Sequence, residues 1–97
     1  GERIPASRAA EVGLINHSVP RERLDEAMQE ALKKVVRGGP NALAASKQLV
    51  SKVPQMQRSD AWEWTAELSQ SLFQSSEAEE GISAFRERRD ASWVPND

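Results

Sequence analysis

The sequence has no cysteine and no tyrosine, one histidine (His17) and two phenylalanines in 97 residues. Without cysteine there is no disulfide scaffold, no thiol nucleophile and no cysteine-based zinc site. A single histidine leaves no HExxH pair and no histidine cluster. No apolar run approaches the roughly 20 residues that a bilayer span needs, and no signal-peptide core opens the chain. Neither charge sign is in excess: 13 Lys+Arg stand against 15 Asp+Glu, a formal net charge of −2. A nucleic-acid binder is usually strongly basic, so that class is set aside. These absences lead us to expect a soluble, cytoplasmic, single-domain chain with neither a nucleic-acid nor a membrane partner.

What is present favours helix. The composition is 38% hydrophobic and 29% charged, that of a globular protein and not a disordered one. Alternating Val, Ile and Thr are scarce, while Ala, Glu, Arg, Leu, Gln and Lys are plentiful. The expected fold class is all-α, about five helices with one short extended segment.

A brief first helix starts after Pro5, runs from Ala6 to Val12, and closes at Gly13 in the left-handed conformation. Leu14 to Val19 read as an extended connector ended by Pro20. Leu24, Met28, Ala31, Leu32 and Val35 recur at helical spacing and define a second helix. Lys33, Lys34 and Arg37 suit the end of that helix, and Gly38-Gly39 stops it. Pro40 opens a third helix to about Val53, with Ala42, Leu43, Leu49, Val50 and Val53 as candidate buried positions. A fourth begins at Ser59 or Asp60, either a good cap, and runs to about Gln74. It carries two apolar stripes: Trp62, Ala66, Ser69 and Phe73, and Ala61, Thr65, Leu68 and Leu72. Trp62 is expected on the core side and Trp64 toward a partner. Ser76 and Glu79 form a capping box for a fifth helix, with glutamates in its first turn and Arg86, Arg88 and Arg89 at its end. Apolar faces this wide exceed what five helices can cover, which implies association with another domain or subunit.

Chemistry is sparse. His17 beside Ser18 is more plainly an ordinary turn residue than part of a triad. Glu26 and Glu30 lie opposite the apolar stripe of the second helix and read as a solvated face. Gly38-Gly39 follows a helix and lacks the strand–loop–helix setting of a phosphate loop. Arg86, Arg88 and Arg89 could grip a phosphate through their guanidinium forks, or simply complement the helix dipole.

The order of local patterns is more specific. Gly1, Ile4, Ala6 and Ala9, then Gly13-Leu14-Ile15-Asn16 and Val19-Pro20, resemble a run characteristic of the enoyl-CoA hydratase/isomerase (crotonase) family. Pro40, Ala44 and Lys47 resemble a helix of the same family. Ser75-Ser76-Glu77, Glu80-Gly81-Ile82, Ala84-Phe85, Glu87 and Arg89, closing on Trp93, resemble its C-terminal signature. Three pieces in the right order span Gly1 to Trp93, and together they resemble about the last third of a family member.

That resemblance implies the C-terminal helical, trimerisation domain of the crotonase fold. Residues 1–20 would be the connector from a ββα spiral domain, 21–89 the helical region and 90–97 a tail. It implies an acyl-CoA substrate for the parent enzyme, with no cofactor bound and no catalytic group supplied by this part. In the family, two backbone N–H groups of the spiral domain polarise the thioester carbonyl, and glutamates of that domain move protons. The implied partners are that N-terminal domain and further copies of the chain, as trimer or hexamer. Arg88 matches a basic residue that in some members reaches the CoA of a neighbouring subunit. Lys47 matches a basic position near the CoA phosphates, or a structural one. An aromatic that contacts adenine in some members is Ser69 here, with Phe73 matching a second family aromatic. Ala91 or Ser92 replaces a proline after the last helix, so the tail is expected to leave at a different angle. Two other readings are a stand-alone helical interaction module and a module binding acyl-CoA by itself.

Overall fold

The computed structural model describes residues 1–95; the last two residues of the expected 90–97 tail lie outside them. Five α-helices follow one another: α1 (Ala6–Glu11), α2 (Leu24–Val35), α3 (Pro40–Lys52), α4 (Arg58–Phe73) and α5 (Ser76–Glu87). Single 3-10 turns at Arg21–Arg23 and Val53–Gln55 lead into α2 and out of α3. No strand occurs among the described residues. The chain divides into two compact units, residues 1–32 and the residues from Lys33 onward.

In the first unit, α1 ends as its sequence dictates. Gly13 has φ of +75°. The Leu14 N–H donates to the Ala9 carbonyl at 2.9 Å and the Gly13 N–H to that of Ala10 at 3.1 Å. These are the two bonds of a Schellman motif, which a residue free of Cβ closes without strain. Residues 14–20 then run without helix or strand to Pro20. Leu24, Met28 and Leu32, the apolar stripe of α2, stay exposed.

In the second unit, α3 packs with α4 and α4 with α5. The burial pattern corrects several sequence expectations. On α3 the covered residue is Ala45, while Leu49, and Val53 in the turn that follows, are half-buried; Ala42, Leu43 and Val50 are exposed. A small side chain lets helices approach closely, so the tightest position goes to alanine and not to the larger residues beside it. Helix α4 starts at Arg58 with Gln57 at its cap and no capping side chain. Ser59 donates instead to the Asp60 carboxylate at 3.0 Å. Neither residue is the cap that their chemistry suggested.

The tryptophans are reversed. Trp62 is 80% exposed, whereas Trp64 is half-buried with the Lys52 Nζ 5.2 Å from its ring centre. Of the two α4 stripes, Ala61, Thr65, Leu68 and Leu72 are the half-buried one, and Trp62, Ala66, Ser69 and Phe73 the exposed one. The stripe that carries Trp62 and Phe73 is the one left outside.

Candidate functional site

Glu77, on α5, reaches the start of α3. Its carboxylate accepts from the backbone N–H of Asn41 at 2.9 Å and of Ala42 at 3.0 Å. Those are the second and third residues of α3, whose cap position is Gly39 with no side chain to offer. The first N–H groups of a helix have no partner inside it, and an anionic acceptor there also meets the positive end of the helix dipole. Glu77 therefore caps α3 from α5. A Cβ on Gly39 would run into that carboxylate, so a larger residue there would have to displace it. Helix α5 is itself capped by Ser75, whose hydroxyl accepts from the Ala78 N–H at 3.2 Å. The capping residue is thus Ser75 and not Ser76, one position earlier than the capping-box pattern indicated.

The end of α5 is closed by a clasp. Arg89 donates two parallel hydrogen bonds to Glu80, at 2.7 and 2.9 Å, and one to Glu87 at 2.6 Å. The Ser92 N–H donates to Glu80 at 2.7 Å. The bidentate bond from Arg89 first, and the Ser92 N–H second, hold the Glu80 carboxyl down at about 2, from an ordinary 4.5. The hydrogen bonds to Glu80 and Glu87 keep Arg89 even more firmly protonated than usual. Beyond the clasp the indole N–H of Trp93 donates to the Arg37 carbonyl at 3.3 Å. Its ring lies over Gly81, where a Cβ would come within 3.2 Å. Arg37 pairs with Asp90 at 3.0 Å.

Two concavities border α5 among the described residues. An apolar groove of about 580 Å³ is lined by Ala42, Leu72, Phe73, Ile82, Phe85 and Trp93, among others. Phe73 is 74% and Phe85 84% exposed along it. A smaller basic concavity of about 400 Å³ is formed by Arg37, Ala84, Phe85, Arg88, Arg89 and Asp90. Its charges are not equivalent. Arg89 and Arg37 are committed to carboxylates, whereas Arg88 has no ion-pair partner among the described residues.

Arg88 also occupies an unusual backbone position, with φ of 55° and ψ of 40°. It closes α5 by a second Schellman motif, in which the Arg89 N–H donates to the Ala84 carbonyl at 3.1 Å. Glycine is the usual residue there, and an L-residue costs roughly 1–2 kcal/mol. The chain bears that cost and presents a free guanidinium, a fork suited to phosphate or carboxylate oxygens.

The remaining candidates separate from this site. Lys47 is exposed on α3 and lines neither concavity, so Arg88 and Lys47 do not share one. Arg86 borders the apolar groove and not the basic concavity. Ser69 and Phe73 both line the groove. His17 is exposed in the connector between α1 and α2. Among the described residues no cluster of three or more His, Asp or Glu could hold a metal ion, and no helix is long and apolar enough to cross a membrane. The cap from Glu77 was missed by sequence reasoning, although one signal was there: α3 begins Gly39-Pro40 with no capping side chain of its own.

Comparison with known proteins gives this geometry its setting. Residues 1–96 match the family model described as enoyl-CoA hydratase/isomerase. The carnitinyl-CoA dehydratase of Salmonella typhimurium is 29% identical over 97 residues, covering 96% of this chain and 37% of its own length. That of Citrobacter koseri is 28% identical with the same coverage. A crystal structure of an enoyl-CoA hydratase/isomerase from Marinobacter aquaeolei superimposes with a TM-score of 0.86 at 27% identity, over 98% of this chain and 36% of that one. This chain thus spans little more than a third of the relatives it matches. Its five helices reproduce that third of the fold, and it belongs to the enoyl-CoA hydratase/isomerase family.

Proposed function

We propose that this chain is the C-terminal helical region of a crotonase-type acyl-CoA enzyme, contributing packing and oligomer contacts and not the reacting groups. The observation that carries this reading is the coverage: a family match along residues 1–96 of a chain that spans 37% of its curated relatives. The reaction proposed for the whole enzyme is hydration of a 2-trans-enoyl-CoA to the 3-hydroxyacyl-CoA, as in β-oxidation of fatty acids. A dehydratase runs the same equilibrium in reverse, so the names of the relatives favour addition and loss of water over isomerisation or hydrolysis. In this reading the oxyanion hole and the proton-transferring glutamates lie in a spiral domain outside these 97 residues. A preorganised pair of N–H donors there would stabilise the enolate as charge develops on the thioester oxygen.

Within this chain the proposed ligand contact is Arg88, whose unpaired guanidinium would meet a CoA phosphate of a neighbouring subunit. Lys47 is a second, separate candidate for the same anion. The proposed partners are the spiral domain and further copies of the chain, in a trimer or hexamer, in the cytoplasm.

The test is to read the coding sequence upstream of Gly1, express the full-length product, and follow loss of the enoyl-thioester absorbance with crotonyl-CoA. Hydration by the full-length protein, with none by the 97-residue chain and no saturable CoA binding to it below millimolar, is the expected result. A reading frame that starts at Gly1, or micromolar CoA binding by the chain alone, overturns the proposal in favour of a stand-alone module.

A further inference from the structure

We propose that residues 89–95 form a latched strap, which opens and closes as one unit while the helices stay folded and carries one wall of the apolar groove with it. This segment follows α5 without helix or strand, and its turn is closed by the Val94 N–H donating to the Ala91 carbonyl at 2.9 Å. Such a segment is held by what it ties to. Arg89 and the Ser92 N–H both donate to the Glu80 carboxylate on α5. The Trp93 indole N–H reaches the Arg37 carbonyl and the Asp90 carboxylate reaches the Arg37 side chain, in the turn that precedes α3. The Trp93 ring is seated on Gly81, the residue after Glu80, where no side chain intervenes.

These ties depend on one another. Arg89 and Ser92 share one acceptor, so loss of the Glu80 carboxylate frees both at once. Ser92 and Trp93 are neighbours, so the bond that anchors the first fixes the approach of the second to Gly81. The ties are also wet: the side chains of the Arg89–Glu80 pair are 40% and 25% exposed, and those of the Arg37–Asp90 pair 66% and 58%. Segments held by exposed polar contacts open locally, at a free energy below that of global unfolding. Ala84, on the helix they leave behind, is buried. Both concavities share the strap, since Trp93 lines the apolar groove and Arg37, Arg89 and Asp90 line the basic one. Opening takes the Trp93 wall from the groove and, in the same movement, parts Arg89 from Glu80 and Arg37 from Asp90 beside Arg88. The device lies wholly within the second unit and rests on neither the acyl-CoA reading nor the proposed assembly.

Hydrogen exchange followed by NMR reads the ties separately, through the Ser92 amide and the Trp93 indole N–H, with the Ala84 amide reporting α5 itself. In the native chain the two strap protons are expected to share one protection factor, well below that of Ala84. Glu80→Gln removes the charge from the clasp and is expected to lower both strap values by the same factor, roughly tenfold, while Ala84 keeps its own. Trp93→Ala acts from the other end and is expected to lower the Ser92 value, because coupling between two parts of one unit is reciprocal. Far-UV circular dichroism checks that each variant keeps its helices. Strap protons as well protected as Ala84, a Trp93 indole unmoved by Glu80→Gln, or a Ser92 amide unmoved by Trp93→Ala overturns the proposal.

Discussion

The carboxylate of Glu77 holds the backbone N–H of Asn41 at 2.9 Å across 36 residues of sequence. One side chain thereby joins the start of α5 to the start of α3, and it does for α3 what a capping serine or aspartate would do from within that helix. The cap on α3 exists only where α5 is brought beside it.

Glu77→Ala should therefore cost about 1–2 kcal/mol, as the loss of a strong cap does. Glu77→Gln, which keeps one acceptor and opposes an amide to the other N–H, should cost less. Urea unfolding followed by circular dichroism at 222 nm, the usual helix signal, gives both differences. A loss confined to a few tenths for Glu77→Ala would mean that the α3 amides are satisfied by water.

The clasp at Glu80 predicts sensitivity to acid. Its folded carboxyl titrates at about 2, below the ordinary 4.5. A depressed value in the folded state contributes stability that is complete above 4.5 and is lost as the pH falls from there toward 2. Thermal melts of the native chain should show Tm falling across that window. Glu80→Gln should start lower and fall less steeply over the same range. Parallel curves would remove the clasp as the cause.

Arg88→Gly separates backbone from side chain. Glycine relieves the left-handed conformation at the end of α5, so the isolated chain should gain on the order of 1 kcal/mol. In the full-length enzyme the same change should raise KM for acyl-CoA and leave kcat nearly unaltered, because the guanidinium is proposed to bind and not to react. A destabilised chain with unchanged KM would contradict both halves.

The two tryptophans of α4 should respond oppositely. Trp62→Ala removes a ring that is 80% exposed and should change stability by less than about 0.5 kcal/mol. Trp64→Ala removes half-buried packing and the cation–π contact with Lys52, at a cost of about 2 kcal/mol. Denaturant melts of the two variants decide the order.

Local chemistry was legible where one segment determines its own fate. Gly13 marked the end of α1 and Pro40 the start of α3, because a left-handed φ and a missing N–H are properties of single residues. The periodicities of α2 and α4 gave the helices themselves. Between the two stripes of α4 the apolar character of Trp62 pointed the wrong way: both stripes have helical period, and which one meets α3 and α5 is set by tertiary packing, which half-buries Ala61, Thr65, Leu68 and Leu72. Nor could it assign the acids of α5, where Glu77, Glu79 and Glu80 look alike and differ only in which tertiary partner each meets. Arg88 was reached by resemblance, but its left-handed backbone follows from the Schellman closure of a helix whose last residue had to be seen.

Among the described residues, the apolar side chains that folding buries are three alanines, Ala9, Ala45 and Ala84. Heat capacity rises on unfolding mainly because apolar surface becomes hydrated. A chain that keeps its larger apolar groups wet in the folded state must therefore unfold with a smaller increment than the customary 12–15 cal/mol/K per residue. Its stability curve is correspondingly flat with temperature. Under the proposed assembly, in which the spiral domain or further copies cover the exposed aromatic faces of α4 and α5, association should carry a large negative heat-capacity change.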